Sequence, residues 1–369
     1  MKQEKAIRVL IVDDSALMRK VLVKMLEKEE GIEVVGTAMD GVFALEKIDK
    51  LRPDVVTLDL EMPRMDGLTA LRQIVERFQT PVVLVSAHAA KGAAVTFEAL
   101  AAGGVDFVAK PERILSAPLE PLGEELARKI RVASRVSVTK FRHRPANVAL
   151  LANDPDREPR RQAGEHVLAI GVSTGGPNAL AHLLPQLHAD FPASVLVVQH
   201  MPEGFTALFA KRLAEISALE VREAAEGDSI IPGRILIAPG DRHMKVRCIG
   251  EHPVVSLSRG EPVGGLRPSV DVMLRSVAEV FGAKSIALIM TGMGDDGAEG
   301  MAAIKAAGGL TLAQDQGSSV VYGMPKAAVE RGTVDRVLSL YEIGEFLNNL
   351  NILKDEGEIH EVRREAANG

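Results

Sequence analysis

Tryptophan is absent from this 369-residue chain, and aromatic residues make up only 3% of it. Its cores must therefore be built of Val, Ile, Leu, Ala and Met. There is one cysteine, Cys248. A single cysteine excludes an internal disulfide, and without a Cys/His cluster no zinc site is expected. Beside Arg247 in a strand-like run, Cys248 reads as structural. An excess of positive charge is also lacking: 44 Lys and Arg stand against 50 Asp and Glu, a net charge of −6. That argues against a nucleic-acid partner, although a local basic patch stays open. No apolar run is long enough to cross a bilayer, and the N-terminal M-K-Q-E-K is unlike a signal peptide. The expectation is a soluble, cytoplasmic monomer with no direct membrane insertion.

What is present is 46% hydrophobic content in a chain long for one domain, so two cores are expected. From Ile7 to about Ala133 an apolar strand run alternates with an amphipathic helical stretch five times. The strand runs are Ile7–Val12, Val34–Ala38, Val55–Leu58, Val82–Val85 and Val105–Ala109. This pattern predicts an α/β domain, a doubly wound parallel sheet whose ligand crevice lies at the strand C-termini. Charge gathers at those ends: Asp13 and Asp14 after the first strand, Asp59 after the third, Ser86 after the fourth and Lys110 after the fifth. Carboxylates converging on one crevice repel one another unless a hard cation lies between them, and an all-oxygen donor set suits Mg²⁺. With Asp13, Asp14 and Asp59 around a metal, a free oxygen of Asp59 could attack a phosphoryl group, with Lys110 neutralising the phosphate and Ser86 reporting its presence. Taken singly each residue could be a loop acid or a helix cap, Asp14 or Ser15 for the first helix.

The stretches I-V-D-D-S (Ile11–Ser15), L-D-L-E-M-P-x-M-D-G (Leu58–Gly67), V-S-A (Val85–Ala87) and A-K-P (Ala109–Pro111) make this half resemble the receiver domain of two-component response regulators. The resemblance implies a flavodoxin-like fold and phosphorylation of Asp59 by a histidine kinase. It further implies Mg²⁺ held by Asp13, Asp14, Asp59 and the carbonyl of Glu61, with Ser86 and Lys110 as the switch and phosphate-contact residues.

Periodicity then fades into a Pro-rich, charged stretch that reads as an exposed linker. The division is 1–130 for the first domain, 131–163 for the linker, 164–352 for a second domain and 353–369 for a charged tail. The second α/β pattern opens with Val167–Val172, a buried-strand run, followed by Ser173, Thr174, Gly175, Gly176 and Pro177. A serine at a strand tip beside a helix N-terminus suits a nucleophile, because the helix end favours negative charge on an attacked carbonyl. Asn178 is expected to cap that helix. The local G-x-S-x-G also fits a nucleophile elbow, though Gly/Ser turns of this kind commonly bind phosphate or nothing.

Partners decide between these readings. Of nine histidines, His182 and His188 fall in a helical stretch and His143 and His360 in polar segments. His200 ends the strand run Val195–Gln199, so two neighbouring parallel strands could bring it to Ser173. A third group to orient the imidazole is offered by T-G-M-G-D-D-G (Thr291–Gly297), through Asp295 or Asp296, the one closer to the helix being open to a reading as only an N-cap. The order Ser, His, Asp is not that of the α/β-hydrolases, so the elbow match is fortuitous.

G-V-S-T-G-G-P (Gly171–Pro177), Q-H-M-P (Gln199–Pro202), A-P-G (Ala238–Gly240), R-P-S-V-D-V (Arg267–Val272) and T-G-M-G-D-D-G-A-E-G-M (Thr291–Met301) make the second half resemble the catalytic domain of the chemotaxis protein-glutamate methylesterases. The resemblance implies a Rossmann-like α/β domain with Ser173 as nucleophile, His200 as base and Asp296 as the triad acid. Met293, with Thr174, would form the oxyanion hole, and no cofactor is expected at this site. It implies a phosphorylation-regulated methylesterase and glutamine deamidase acting on methyl-accepting chemoreceptors. An idle interaction module, or a hydrolase of a different ester, is the alternative.

Overall fold

A strand rich in Val and Ile on both faces must be covered by helices on both sides, and the computed structural model of the chain has that form twice. It describes residues 5–87, 90–111, 120–136 and 166–350. Most of the expected linker, the expected tail, and His88, His143 and His360 lie outside the described residues. Internal packing divides the chain into two units, Met1–His143 and Arg144–Gly369.

In the first unit the strands are β1 (Ile7–Val12), β2 (Ile32–Ala38), β3 (Val55–Leu58), β4 (Val82–Ala87) and β5 (Asp106–Lys110). The helices are α1 (Ala16–Leu26), α2 (Gly41–Leu51), α3 (Gly67–Gln73), α4 (Ala90–Ala101) and α5 (Glu120–Ala133). The sheet is parallel in the order β2-β1-β3-β4-β5, the doubly wound flavodoxin-like arrangement. Val9, Leu10, Ile11, Val55, Val56 and Leu58 are wholly buried. Ser15, one of the two expected caps, holds α1: its hydroxyl accepts the Met18 N–H at 3.3 Å.

The second unit carries β6 (Val167–Val172), β7 (Ser194–Gln199), β8 (Glu220–Glu223), β9 (Arg234–Ile237), β10 (His243–Ile249), β11 (His252–Ser258), β12 (Ser285–Ile289), β13 (Leu310–Gln314) and β14 (Arg336–Leu338). Its helices are α6 (Gly176–Leu183), α7 (Phe205–Ala214), α8 (Val270–Phe281), α9 (Ala298–Ala306), α10 (Met324–Glu330) and α11 (Leu340–Asn349). Seven strands form one sheet in the order β14-β13-β12-β6-β7-β9-β8, and β10 and β11 form a separate antiparallel hairpin. β8 and β9 belong to the main sheet, so in this part of the chain only β10 and β11 leave it. The chain runs outward from β6 through β7, then returns to place β12 on the other side of β6, so the switch point falls between β6 and β12.

Two expectations change. The cap of α6 is Gly175, at φ 80°, and not Asn178, which lies inside the first turn. Cys248 is exposed on β10 rather than packed into a core. The strands β8 and β14 are four and three residues long, too short to show a period, whereas α11 opens on a capping-box signal, Ser339 with Glu342.

Gly171 explains how a helix reaches the end of the central strand. A Cβ there would lie 2.3 Å from Val270 Cγ1, so only glycine lets the first turn of α8 rest against β6. Val270, Met273, Leu274 and Val277 of α8 then pack in one core with Met301 and Ile304 of α9.

One buried cation in the first unit yields a stability prediction. Lys129 Nζ meets Asp106 Oδ1 at 3.1 Å and Glu125 Oε1 at 3.0 Å and donates to the Phe107 carbonyl. Burial alone would lower its pKa, but the two carboxylates outweigh burial and hold it raised. Lys129→Ala removes the buried cation shared by Asp106, Glu125 and the Phe107 carbonyl, and urea denaturation should show a loss of about 3–5 kcal/mol. Because the folded pKa is raised, this contribution is fully present at pH 7–9 and is lost only as pH climbs above the ordinary lysine value, about 10.4. Denaturation curves of the two forms should therefore converge above that pH.

Candidate active site and receiver cluster

The C-terminal ends of β1, β3 and β5 bring acids and a lysine together in the first unit. Ligand oxygens of Asp13, Asp14 and Asp59 all lie within 4.8 Å of one another. Lys110 Nζ reaches Asp13 Oδ2 and Asp59 Oδ2 at 2.7 Å each. Burial pushes the Asp59 carboxyl up to about 6, despite the lowering effect of Lys110. Burial would lower Lys110, but Asp59 and Asp13 raise it. Glu61 donates its backbone N–H to Asp59 Oδ1 at 3.4 Å. Ser86 is buried, and its hydroxyl oxygen accepts from Thr96 Oγ1 at 2.6 Å. Four sequence-selected side chains, Asp13, Asp14, Asp59 and Lys110, thus meet at one end of the sheet, and the all-oxygen donor set of the three acids fits a hard divalent cation.

In the second unit the three ends that matter belong to adjacent strands, in the order β12-β6-β7. Val172 of β6 and Gln199 of β7 are paired, so Ser173 and His200, one residue further on, leave the sheet side by side. The Ser173 N–H is held by the Thr291 carbonyl at 3.0 Å. The Ser173 carbonyl accepts from Gly176 N at 2.8 Å and Gln199 Nε2 at 3.0 Å. The turn is therefore fixed through its backbone, and among the described residues the Ser173 hydroxyl makes no hydrogen bond.

His200 Nε2 lies 2.8 Å from Asp296 Oδ2, with 10% and 7% of the two side chains exposed. An ionised carboxylate only accepts, so Nε2 is the donor, and in the neutral ring Nδ1 is then the acceptor. Asp295, the other candidate, points outward with 73% of its side chain exposed and pairs with Arg331 at 3.4 Å.

Asp296 is set across the first turn of α8. Its Oδ2 also accepts from Val270 N at 2.7 Å, and its Oδ1 accepts from Ser269 Oγ at 2.8 Å and Asp271 N at 3.1 Å. Burial would raise the Asp296 pKa; the bond and charge of His200 and the two backbone N–H groups outweigh it and hold it below the ordinary carboxylate value. In return Asp271, inside α8, accepts the Gly300 N–H of α9 at 2.7 Å, so each helix start is tied by an acid from the other. Ser269, Asp271 and their neighbour His243 were not singled out from the sequence. Ser269 lies in the R-P-S-V-D-V stretch just before an apolar helical period, which is an N-cap signal, but nothing local connects it to Asp296.

The loop after β12 runs against Ser173. A Cβ on Gly292 would lie 2.8 Å from Ser173 Cβ, so glycine is required for that approach. The Gly292 carbonyl is clamped by the N–H groups of Gly323 and Met324 at 3.0 and 2.9 Å. The next N–H, that of Met293, has no hydrogen-bond partner among the described residues. Thr174 is buried beside it in the turn, its carbonyl accepting from Thr291 Oγ1 at 2.9 Å.

The chain is similar to known proteins over both units. Residues 168–347 match the family model described as CheB methylesterase, and residues 9–117 match that of the response regulator receiver domain. A protein-glutamate methylesterase/protein-glutamine glutaminase of Koribacter versatilis is 57% identical over 90% of this chain and 93% of its own length. The chain belongs to that family. Its relative of the same name in Pyrococcus horikoshii is 44% identical over 92% of each chain. The crystal structure of the Thermotoga maritima CheB methylesterase catalytic domain is 43% identical, covers 50% of this chain and 98% of its own, and superposes with a TM-score of 0.50. Family membership makes the chain a two-domain hydrolase with a receiver, and among the described residues no helix is long and apolar enough to cross a membrane.

Proposed function

We propose that this member hydrolyses γ-methyl glutamyl esters, and deamidates glutamines, on methyl-accepting chemoreceptors. Ser173 is the nucleophile, His200 the base and Asp296 the triad acid. The observation that carries the reading is the largely buried 2.8 Å His200–Asp296 bond at the end of β7, beside a Ser173 hydroxyl left free at the end of paired β6. With Nε2 given to Asp296, Nδ1 takes the Ser173 proton as Oγ attacks the ester carbonyl. Such nucleophile–base contacts are looser without substrate and tighten in the Michaelis complex. The developing oxyanion is met by the Met293 N–H, with Thr174 beside the α6 N-terminus. His200 returns its proton to methanol, and water then repeats the sequence on the acyl-enzyme. A glutamine side chain would release ammonia by the same steps.

In the receiver, Asp13, Asp14 and Asp59, with the Glu61 carbonyl, would hold Mg²⁺, which neutralises phosphoryl charge when bound. Asp59 accepts the phosphoryl group from a histidine kinase, Lys110 faces the phosphate and Ser86 moves toward it. We place the boundaries of the two domains at residues 1–130 and 164–352. Methanol released from methylated receptor helices by the full chain tests the reading. A small phosphodonor with Mg²⁺ should raise the rate about 5- to 150-fold. Asp59→Ala should remove that rise and leave the basal rate; no methanol from the wild-type chain would overturn the assignment.

A further inference from the structure

We propose that Ser269 is a positioning residue for the triad acid, a role that rests on the triad reading above. A hydroxyl has one proton to give, and Ser269 gives it to Asp296 Oδ1 at 2.8 Å. Ser269 Oγ itself accepts the Val272 N–H at a longer 3.4 Å, which makes Ser269 the N-cap of α8. One atom therefore caps the helix and fixes the carboxylate plane. Without it Oδ1 keeps only the Asp271 N–H at 3.1 Å, and the carboxylate can swing away from His200.

Ser269 is itself anchored from behind. It is wholly buried, and its N–H donates to His243 Nδ1 at 3.2 Å. The opposite ring nitrogen of His243 donates to the Glu261 carbonyl at 3.0 Å. This requires a neutral imidazole with its proton on Nε2. The ring is 3% exposed and ties the start of α8 to the Gly260–Arg267 segment. Arg267 closes the same segment onto itself, donating to the Gly260 carbonyl at 2.8 Å and pairing with Asp241. The order of support runs from the segment to His243, to Ser269, to Asp296 and so to His200.

Ser269→Gly separates the two jobs of this residue, because glycine replaces serine at an N-cap at little cost. In the full chain, Ser269→Gly should fold, with Tm lowered by about 3–8 °C through the lost bond to Asp296. It should lower kcat for methyl-ester hydrolysis about 10- to 100-fold, as expected for a lost charge-assisted bond, with KM unchanged. Ser269→Thr, which keeps the hydroxyl, should restore kcat. Ser269→Ala, measured in parallel, removes the hydroxyl in a second background should the glycine variant fold poorly. A kcat within about twofold of wild type in either hydroxyl-free variant, with Ser173→Ala inactive, would reduce Ser269 to a helix cap. Activity surviving in Ser173→Ala would instead overturn the triad reading itself, and the positioning role with it.

Discussion

Ser173→Ala should lower kcat for methanol release by about 10⁶-fold while leaving the fold untouched. Both halves of this expectation come from the same geometry. The turn around Ser173 is held by its N–H to Thr291 and its carbonyl to Gly176 and Gln199. None of these bonds involves the side chain, so alanine removes nothing that supports the backbone and Tm should not move. The chemistry, by contrast, has no substitute oxygen: a residual rate from the oxyanion loop and His200 acting on water is all that remains. Methanol release and a melting curve, measured on the same preparation, test both parts. A variant that keeps more than about one-tenth of its rate would place the nucleophile elsewhere.

Asp296→Asn should lower kcat about 10⁴-fold, whereas Asp295→Asn should change it by less than about twofold. The carboxylate of Asp296 receives four donors, two on each oxygen, and each oxygen holds one backbone N–H of the α8 first turn. An asparagine must aim its NH₂ at one of those N–H groups whichever way it is turned. The variant therefore loses the acceptor His200 needs and also about 1–3 kcal/mol of stability. In the wild-type chain the depressed Asp296 pKa contributes stability above the ordinary carboxylate value and loses it only as pH falls through the depressed one. Among the described residues the Asp295 carboxylate meets only Arg331, at the surface. Similar losses from the two variants would count against Asp296 as the triad acid.

The receiver was legible almost completely, because its chemistry sits at strand tips and strand tips are visible in a sequence. Asp13, Asp14, Asp59, Ser86 and Lys110 each follow an apolar run, and parallel pairing then gathers them. Ser173 and His200 were legible for the same reason. The capping of α6 was not: Asn178 has the chemistry of a cap, but the left-handed Gly175 starts the helix earlier. The spacing of Asp295 and Asp296 offered no decision either, since both are acids next to a helix start.

By itself the sequence determined two parallel α/β units and which strand ends carry reactive side chains, because buried strands and the residues that stop them are written locally. Only the tertiary structure decided that Asp296 faces inward, and that Ser269 and His243 stand behind it. Those contacts join positions 26 or more residues apart, and they exist because Gly171 lets α8 settle against β6. Long-range donor geometry of that kind follows from packing, which no local pattern encodes.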